Sequence, residues 1–525
     1  MQSDPDKPPL TDPLRQEEAQ AAEAAEPQGR SYGEILKSSA LIGGSSALNI
    51  AIGIVRTKAM ALMLGPGGFG LMALYGAIVD LFVSIAGMGI NSSGVRQIAE
   101  AVGSGDANRI SRTVTVLRRT AVVLGLSGAV LLAAFSRQVS TLTFGSDEHA
   151  EAVALLSVVV LLRLVTEGQG ALVQGMRRIG DLARMGVLGG IFGTLLGIPL
   201  VYFLREDGVV PYLIGAAAAT AMVAWWYGRK LNVEPPSMTA SQVRHEAASL
   251  LKFGFAFMAS GFLMIGAAYA VRTMVLRMVG LEAAGFYQAA WTIGGLYVAN
   301  ILQAMGADFY PRLVGAAQDN SQCNRLVNEQ EQVSLLLAGP GVIATLTFAP
   351  LVIEVFYAAE FAGAVDTLRW ICLGMALRVI SWPMGFLIVA KGKRALFLGT
   401  EMAWSVVNIA LAWICVSSFG LNGAGIAFFA SYVFYCFLVY PAARRLSGFR
   451  WSTENRKTGC VFLFSIAIVF CGFYTLPPVV ATSVGVVAMI ASGIHSIRAL
   501  LALTTAERIP RQFQRLIAWF RRAAK

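Results

Sequence analysis

Charge is scarce in this sequence. Only 14% of its 525 residues are Asp, Glu, Lys or Arg, while 56% are hydrophobic and the mean hydropathy is +0.62. A chain with so little charge could not solvate its apolar surface in water, which excludes an ordinary soluble enzyme or carrier. Histidine is nearly absent, with His149, His245 and His495 far apart, so a His-based metal site is not expected. The six cysteines form no C-x-x-C pair, and five lie in or beside apolar runs, so they read as small hydrophobes. There is no H-E-x-x-H, no P-loop and no G-x-S-x-G. Neither a catalytic residue, a cofactor nor ATP hydrolysis by the chain itself is expected.

What is abundant is apolar sequence in lengths near 20 residues, the length of a helix that crosses a bilayer. About fourteen such runs are expected, at 38–62, 72–93, 114–135, 152–175, 183–204, 209–227, 250–276, 286–308, 332–353, 364–390, 395–418, 421–442, 459–475 and 479–502. The expected fold class is an all-α integral membrane protein. Residues 1–33, rich in acid, Ala, Gln and Pro, read as a disordered cytoplasmic tail. Residues 504–525 place Ile509, Phe513, Leu516, Ile517 and Phe520 at helical spacing beside five arginines, the pattern of an interfacial helix on anionic lipid.

The net charge of +11 is explained by orientation. Lys and Arg cluster in the even-numbered loops, as at Arg109, Arg112, Arg118 and Arg119, or Lys391, Lys393 and Arg394. The odd-numbered loops hold only Arg137, Arg205 and Arg277. Positive charge is retained on the cytoplasmic side, so both termini are expected there. No basic patch sits on a polar domain, and nucleic-acid binding is not expected.

The sequence also repeats itself at an offset of about 215 residues. The stretch VRTKAMALMLGPGGFGLMALY corresponds to VRTMVLRMVGLEAAGFYQAAW, with Gly65 and Gly70 matching Gly280 and Gly285. Leu162 and Arg163 match Leu377 and Arg378. Spans 1–6 (34–230) and 7–12 (250–445) thus form two lobes of like orientation, joined by a cytoplasmic linker at 231–249 and related by a pseudo-two-fold axis along the membrane normal. Spans 13 and 14 (446–503) stand outside the repeat.

Charges at membrane depth are costly, about 2.5–3.5 kcal/mol each on insertion scales, and mark functional positions. The candidates are Arg56, Lys58, Arg163, Arg272 and Arg378. Arg56 pairs with Arg272 in the repeat, and Arg163 with Arg378, so a two-fold arrangement would turn four guanidiniums toward one cationic chamber suited to phosphate oxygens. Competing readings remain: Glu167 lies one helical turn after Arg163 and could neutralise it, and Arg56, Lys58 and Arg272 could snorkel to the extracytoplasmic face. Asp80, Glu167 and Glu401 are candidates for proton coupling.

On LGPGGFGLMALYGAIVDLFVSIAGMGINSSGVRQIAEAVGSGD, QGMRRIGDLARMGVLGG and GLNGAGIAFFASY, over residues 35–445, the chain resembles the Wzx-type O-antigen translocases of the multidrug/oligosaccharidyl-lipid/polysaccharide (MOP) exporter superfamily. The resemblance implies a V-shaped two-lobed bundle in the bacterial inner membrane. It implies alternating-access flipping of an undecaprenyl-pyrophosphate-linked oligosaccharide, an O-antigen or exopolysaccharide repeat unit, from the cytoplasmic to the periplasmic leaflet. A polysaccharide polymerase and a chain-length regulator are partners it brings to mind, besides membrane lipid. The two extra spans resemble those of fourteen-span lipid II flippases. The alternatives are that lipid II-type function, a proton- or sodium-coupled drug antiporter of the same superfamily, and a membrane-embedded glycan polymerase.

Overall fold

The computed structural model describes residues 13–231, 236 and 238–503, with side chains, a few excepted, from residue 44 on. Among these the chain forms sixteen α-helices and two short 3-10 turns, with no strand. The expected interfacial helix at 504–525 lies outside the described residues.

The first helix, α1 (Pro13–Gly87), holds two spans in one run broken at Gly65, whose φ of 62° and ψ of −174° leave helical space. Only glycine adopts that conformation without strain. Helical backbone extends back to Pro13, so the expected disordered tail is corrected for residues 13–33. The stretch EEAQAAEAAE is built from the strongest helix formers and continues the span that follows. Residues 1–12 of that tail lie outside the described residues.

A left-handed turn at Met88 and Gly89 leads into α2 (Ile90–Gly103), and Asp106 caps α3 (Ala107–Ala134) through the backbone N–H groups of Asn108 and Arg109. The short α4 (Ser136–Phe144) precedes α5 (Ala150–Gly175), α6 (Ile179–Leu204) and α7 (Val209–Arg229). The second half runs α8 (Ala240–Val279), α9 (Leu281–Gly315), α10 (Asn320–Thr347), α11 (Ala349–Phe356), α12 (Val365–Ala390), α13 (Arg394–Phe419) and α14 (Leu421–Ser447). The last helices are α15 (Thr453–Thr475) and α16 (Pro478–Leu503).

Among the described residues nine helical stretches are long and apolar enough to cross a membrane, ten if the bent pair α10 and α11 is one span. Two of the nine are twice the required length: Gly44–Gly87 contains the break at Gly65, and Ile179–Arg229 contains the 3-10 turn Arg205–Gly208. The run expected at 332–353 as one straight span instead turns by 83° after Thr347. Pro350, in the first turn of α11, suits a new helix start and not the interior of a continuing one.

Helices α3, α5, α6 and α7 pack with α1, and α9, α10, α12, α13 and α14 pack with one another, with α15 and α16 against α10. The halves meet along α1 and α9. Gly70 and Gly285, equivalent in the repeat, face each other there: a Cβ on Gly285 would overlap the Pro66 carbonyl oxygen, and one on Gly70 would lie 2.5 Å from the Leu281 carbonyl oxygen. Small residues allow backbones in a bilayer to approach this closely, and van der Waals contact then holds them.

Candidate functional site

Between the halves lies a cavity of about 520 Å³, lined by α1, α8, α9, α12, α13 and α14. A second recess of about 440 Å³ shares Asp80 and Ile265 with it and reaches the α1–α2 turn and α5. The two adjoin as one chamber.

Arg272 and Arg378 line the larger part, and Arg163 the smaller. Arg272 is carried by α8, and its Nε donates to the side-chain oxygen of Gln288 on α9 at 2.9 Å. It has no carboxylate within ion-pair distance among the described residues. Arg378, on α12 five residues before Pro383, makes no ion pair and no side-chain hydrogen bond among them. Arg163 on α5 donates to Asp80 on α1 at 2.5 Å, an ion pair bridging two helices. Its ion-pair contact is therefore with Asp80 and not with Glu167, the competing partner one helical turn away, because the guanidinium reaches across to α1. Glu167 lines the same recess. Glu401 accepts a hydrogen bond from the Tyr435 hydroxyl at 2.9 Å.

Two expected members of the chamber are elsewhere. Lys58 donates its Nζ to the Glu354 carbonyl at 2.6 Å, tying α1 to the end of α11. Arg56 does not line either recess. Their position near the Gly65 end of span 1 leaves the cationic heads short of the chamber. The chamber thus carries Arg163, Arg272 and Arg378 together with Asp80, Glu167 and Glu401. It is a mixed field of guanidiniums and carboxylates, in which Arg272 and Arg378 make no ion-pair contact among the described residues while Glu401 stands near enough to Arg378 to attract it.

The sequence reading did not single out the aromatic wall. Tyr287, Trp291, Trp404, Phe428, Tyr432 and Tyr435 all face the larger recess. Its signal was present as i, i+4 and i, i+3 spacing on α14 (Phe428, Tyr432, Tyr435) and α13 (Glu401, Trp404, Asn408).

The chamber is closed at the end carrying the Gly65 and Gly280 turns. Phe69 packs edge-on to Tyr357 at 5.3 Å and Phe361 at 5.7 Å. Arg277 donates to the Leu142 carbonyl at 3.1 Å, near the C-terminus of α4, where the carbonyl ends attract a cation. The hydroxyls of Thr143 and Tyr269 are 2.6 Å apart. At the end bearing the basic loops, Gly89 and Gly254 bring α8 against the α1–α2 turn, so a Cβ on either would overlap backbone of the other strand of chain.

Among solved structures, the lipid II flippase MurJ in an inward closed conformation is 13% identical and superposes with a TM-score of 0.62, covering 88% of this chain and 99% of its own. An inward-facing multidrug resistance MATE family transporter of the MOP superfamily, 15% identical, covers 76% of this chain and 95% of its own with a TM-score of 0.63. The lipid III flippase of Escherichia coli is 23% identical over 409 residues, 76% of this chain and 96% of that protein. These likenesses show a fold shared with the two solved transporters. The chain belongs to the polysaccharide biosynthesis protein family, whose model matches residues 59–366.

Proposed function

We propose that this protein flips an undecaprenyl-pyrophosphate-linked oligosaccharide, an O-antigen or exopolysaccharide repeat unit, from the cytoplasmic to the periplasmic leaflet of a bacterial inner membrane. The observation that carries this reading is the pair Arg272 and Arg378, two guanidiniums that face one chamber at membrane depth and make no ion-pair contact among the described residues, with Glu401 attracting Arg378 only from a distance. A cation kept in such a place without a counter-ion in contact is suited to a ligand that supplies one, and forked N–H donors match phosphate oxygens. The family membership and the likeness to a lipid III flippase support the same reading.

The headgroup enters from the end bearing the basic loops, while the polyprenyl tail stays in lipid. The diphosphate displaces Asp80 from Arg163 and engages Arg272 and Arg378. That exchange gives the substrate unequal affinity for the two states, without which it could not shift them. Asp80, Glu167 and Glu401 are the groups available to take up or release a proton during the return. Both termini face the cytoplasm, and a polysaccharide polymerase with its chain-length regulator would receive the product.

A second reading rests on the three carboxylates and the aromatic wall, which would also suit an organic cation carried by an antiporter. One experiment separates them. Deleting the gene should cause lipid-linked repeat units to accumulate on the cytoplasmic leaflet. The wild-type chain should restore export, and Arg272→Ala with Arg378→Ala should not. Restoration by the double variant at normal membrane levels would overturn the diphosphate reading. Loss of drug resistance without glycolipid accumulation would favour the antiporter.

A further inference from the structure

The two sides of the chamber differ in chemistry. Asp80, Arg163 and Glu167 on α1 and α5 form a charged side with no aromatic ring among the lining residues. Opposite, Trp291, Phe428, Tyr432 and Trp404 form a continuous run of rings: Trp291 to Phe428 at 5.1 Å, Phe428 to Tyr432 at 5.0 Å, and Tyr432 to Trp404 at 5.5 Å. Beside this run stand two polar groups without partners. Asn408 lies one turn beyond Trp404 on α13, is 7% exposed, lines the cavity, and makes no hydrogen bond to another described residue. Trp404 is 8% exposed, also lines the cavity, and its indole N–H finds no acceptor.

A carboxamide on a cavity wall that bonds to no described residue is open to a ligand's hydroxyls. Four aromatic rings with a carboxamide at one edge make a specific surface. A pyranose ring presents axial C–H groups on one face and hydroxyls around its rim. The C–H face packs on an electron-rich ring, and the rim hydroxyls reach the Asn408 carboxamide.

From this juxtaposition we infer that the α13–α14 wall is a sugar subsite, taking the first pyranose of the glycan by stacking on Trp404 and Tyr432 with hydroxyl contacts to Asn408. The inference rests on the glycolipid reading and adds to it a division of labour. Arginines on α5, α8 and α12 hold the diphosphate, and the aromatic wall holds the sugar attached to it. Arg378 and Trp404 line the same recess, so a diphosphate and the sugar bonded to it can be held together. Because an aromatic face reads the C–H side of any pyranose, this subsite selects for the presence of a sugar more than for its identity.

The test uses the purified full chain in nanodiscs and two probes: a short-chain prenyl pyrophosphate, and the same molecule carrying one N-acetylhexosamine. Wild type should bind the sugar-bearing probe about tenfold more tightly, equal to about 1.4 kcal/mol. Asn408→Ala and Trp404→Leu should bring that ratio close to one while leaving the bare probe unchanged. Arg378→Ala should weaken both probes by the same factor. Trp404→Phe, which keeps a ring, retains part of the preference and serves if the leucine variant does not fold. Equal affinities in wild type, or a ratio that survives both wall variants, would overturn the sugar subsite while leaving the diphosphate reading intact. Binding of neither probe would overturn both. Tetraphenylphosphonium displaced from wild type by neither probe, and lost in Trp404→Leu, would assign the wall to an organic cation and overturn the inference.

Discussion

Asp80 and Arg163 are each nearly half exposed in the chamber, 48% and 42% by side chain, so water screens their attraction. Such a pair contributes on the order of 0–1 kcal/mol to stability. Asp80→Asn should therefore leave the melting temperature almost unchanged. If the diphosphate displaces Asp80, the same variant should bind a prenyl pyrophosphate about threefold to tenfold more tightly, within about 1.4 kcal/mol, while Arg163→Ala binds it more weakly. Equal weakening by both would mark the pair as a structural unit with no exchange. At the other end, burial pushes the His149 imidazole below its ordinary value of 6.5, opposed by the neighbouring Glu148. Its Nδ1 meets the Tyr75 hydroxyl at 2.9 Å, and its ring lies on Phe144 at 4.1 Å. The folded state then binds the proton less readily than the unfolded one. Stability should be full above about pH 6.5, fall as the pH drops below it, and flatten once His149 is charged in both states. His149→Gln should flatten the melting temperature between pH 7.5 and 5; an unchanged slope would place the acid sensitivity elsewhere. Arg163, Arg272 and Arg378 were legible as chamber residues because charge at membrane depth is rare and two of them repeat. Arg56 and Lys58 carried the same signal, but depth along a helix does not tell which way a long side chain reaches. The partner of Arg163 was hidden for a related reason: spacing reveals neighbours on one helix, and Asp80 lies on another.

At the scale of elements, the closest contact between halves is the Gly70–Gly285 crossing of α1 and α9. A single added methyl has no room there, because the obstacle is backbone. Gly285→Ala should cost about 1–3 kcal/mol by overpacking and lower the melting temperature in detergent by several degrees. Gly76→Ala, on α1 with open space around its Cα, is the matched control and should be neutral. Similar melting of both would mean the crossing is not tight. The matching glycines were visible at an offset of about 215 residues, and with them the two-fold relation. The bend after Thr347 was not. Residues 332–353 read as one apolar run, and hydropathy carries no information on direction. Nor did composition reveal helix in 13–33, where acid and alanine suit a solvated tail and a helix alike. The aromatic wall escaped notice because rings at helical spacing are ordinary in any apolar core; only a cavity in front of them gives them a role.

For the whole molecule, the alternation of basic and weakly charged loops predicts one orientation. Reporter fusions after residues 230 and 447 should be active only with a cytoplasmic reporter, and fusions at 145 and 360 only with a periplasmic one. The reverse pattern would invert the direction of transport. In that orientation the contacts joining Arg277 to Leu142, Tyr269 to Thr143 and Phe69 to Tyr357 form the periplasmic closure, and they must part for the substrate to leave. The account depends most on the claim that the three chamber arginines carry a diphosphate across the membrane. Its most direct measurement is in proteoliposomes holding the purified chain and a fluorescent, sugar-bearing polyprenyl pyrophosphate on one leaflet. Wild type should move the lipid to the other leaflet, where a membrane-impermeant quencher no longer reaches it. The Arg163→Ala, Arg272→Ala, Arg378→Ala triple variant, inserted at the same density, should fall to the rate of empty vesicles. Equal rates for wild type and the triple variant would contradict the account.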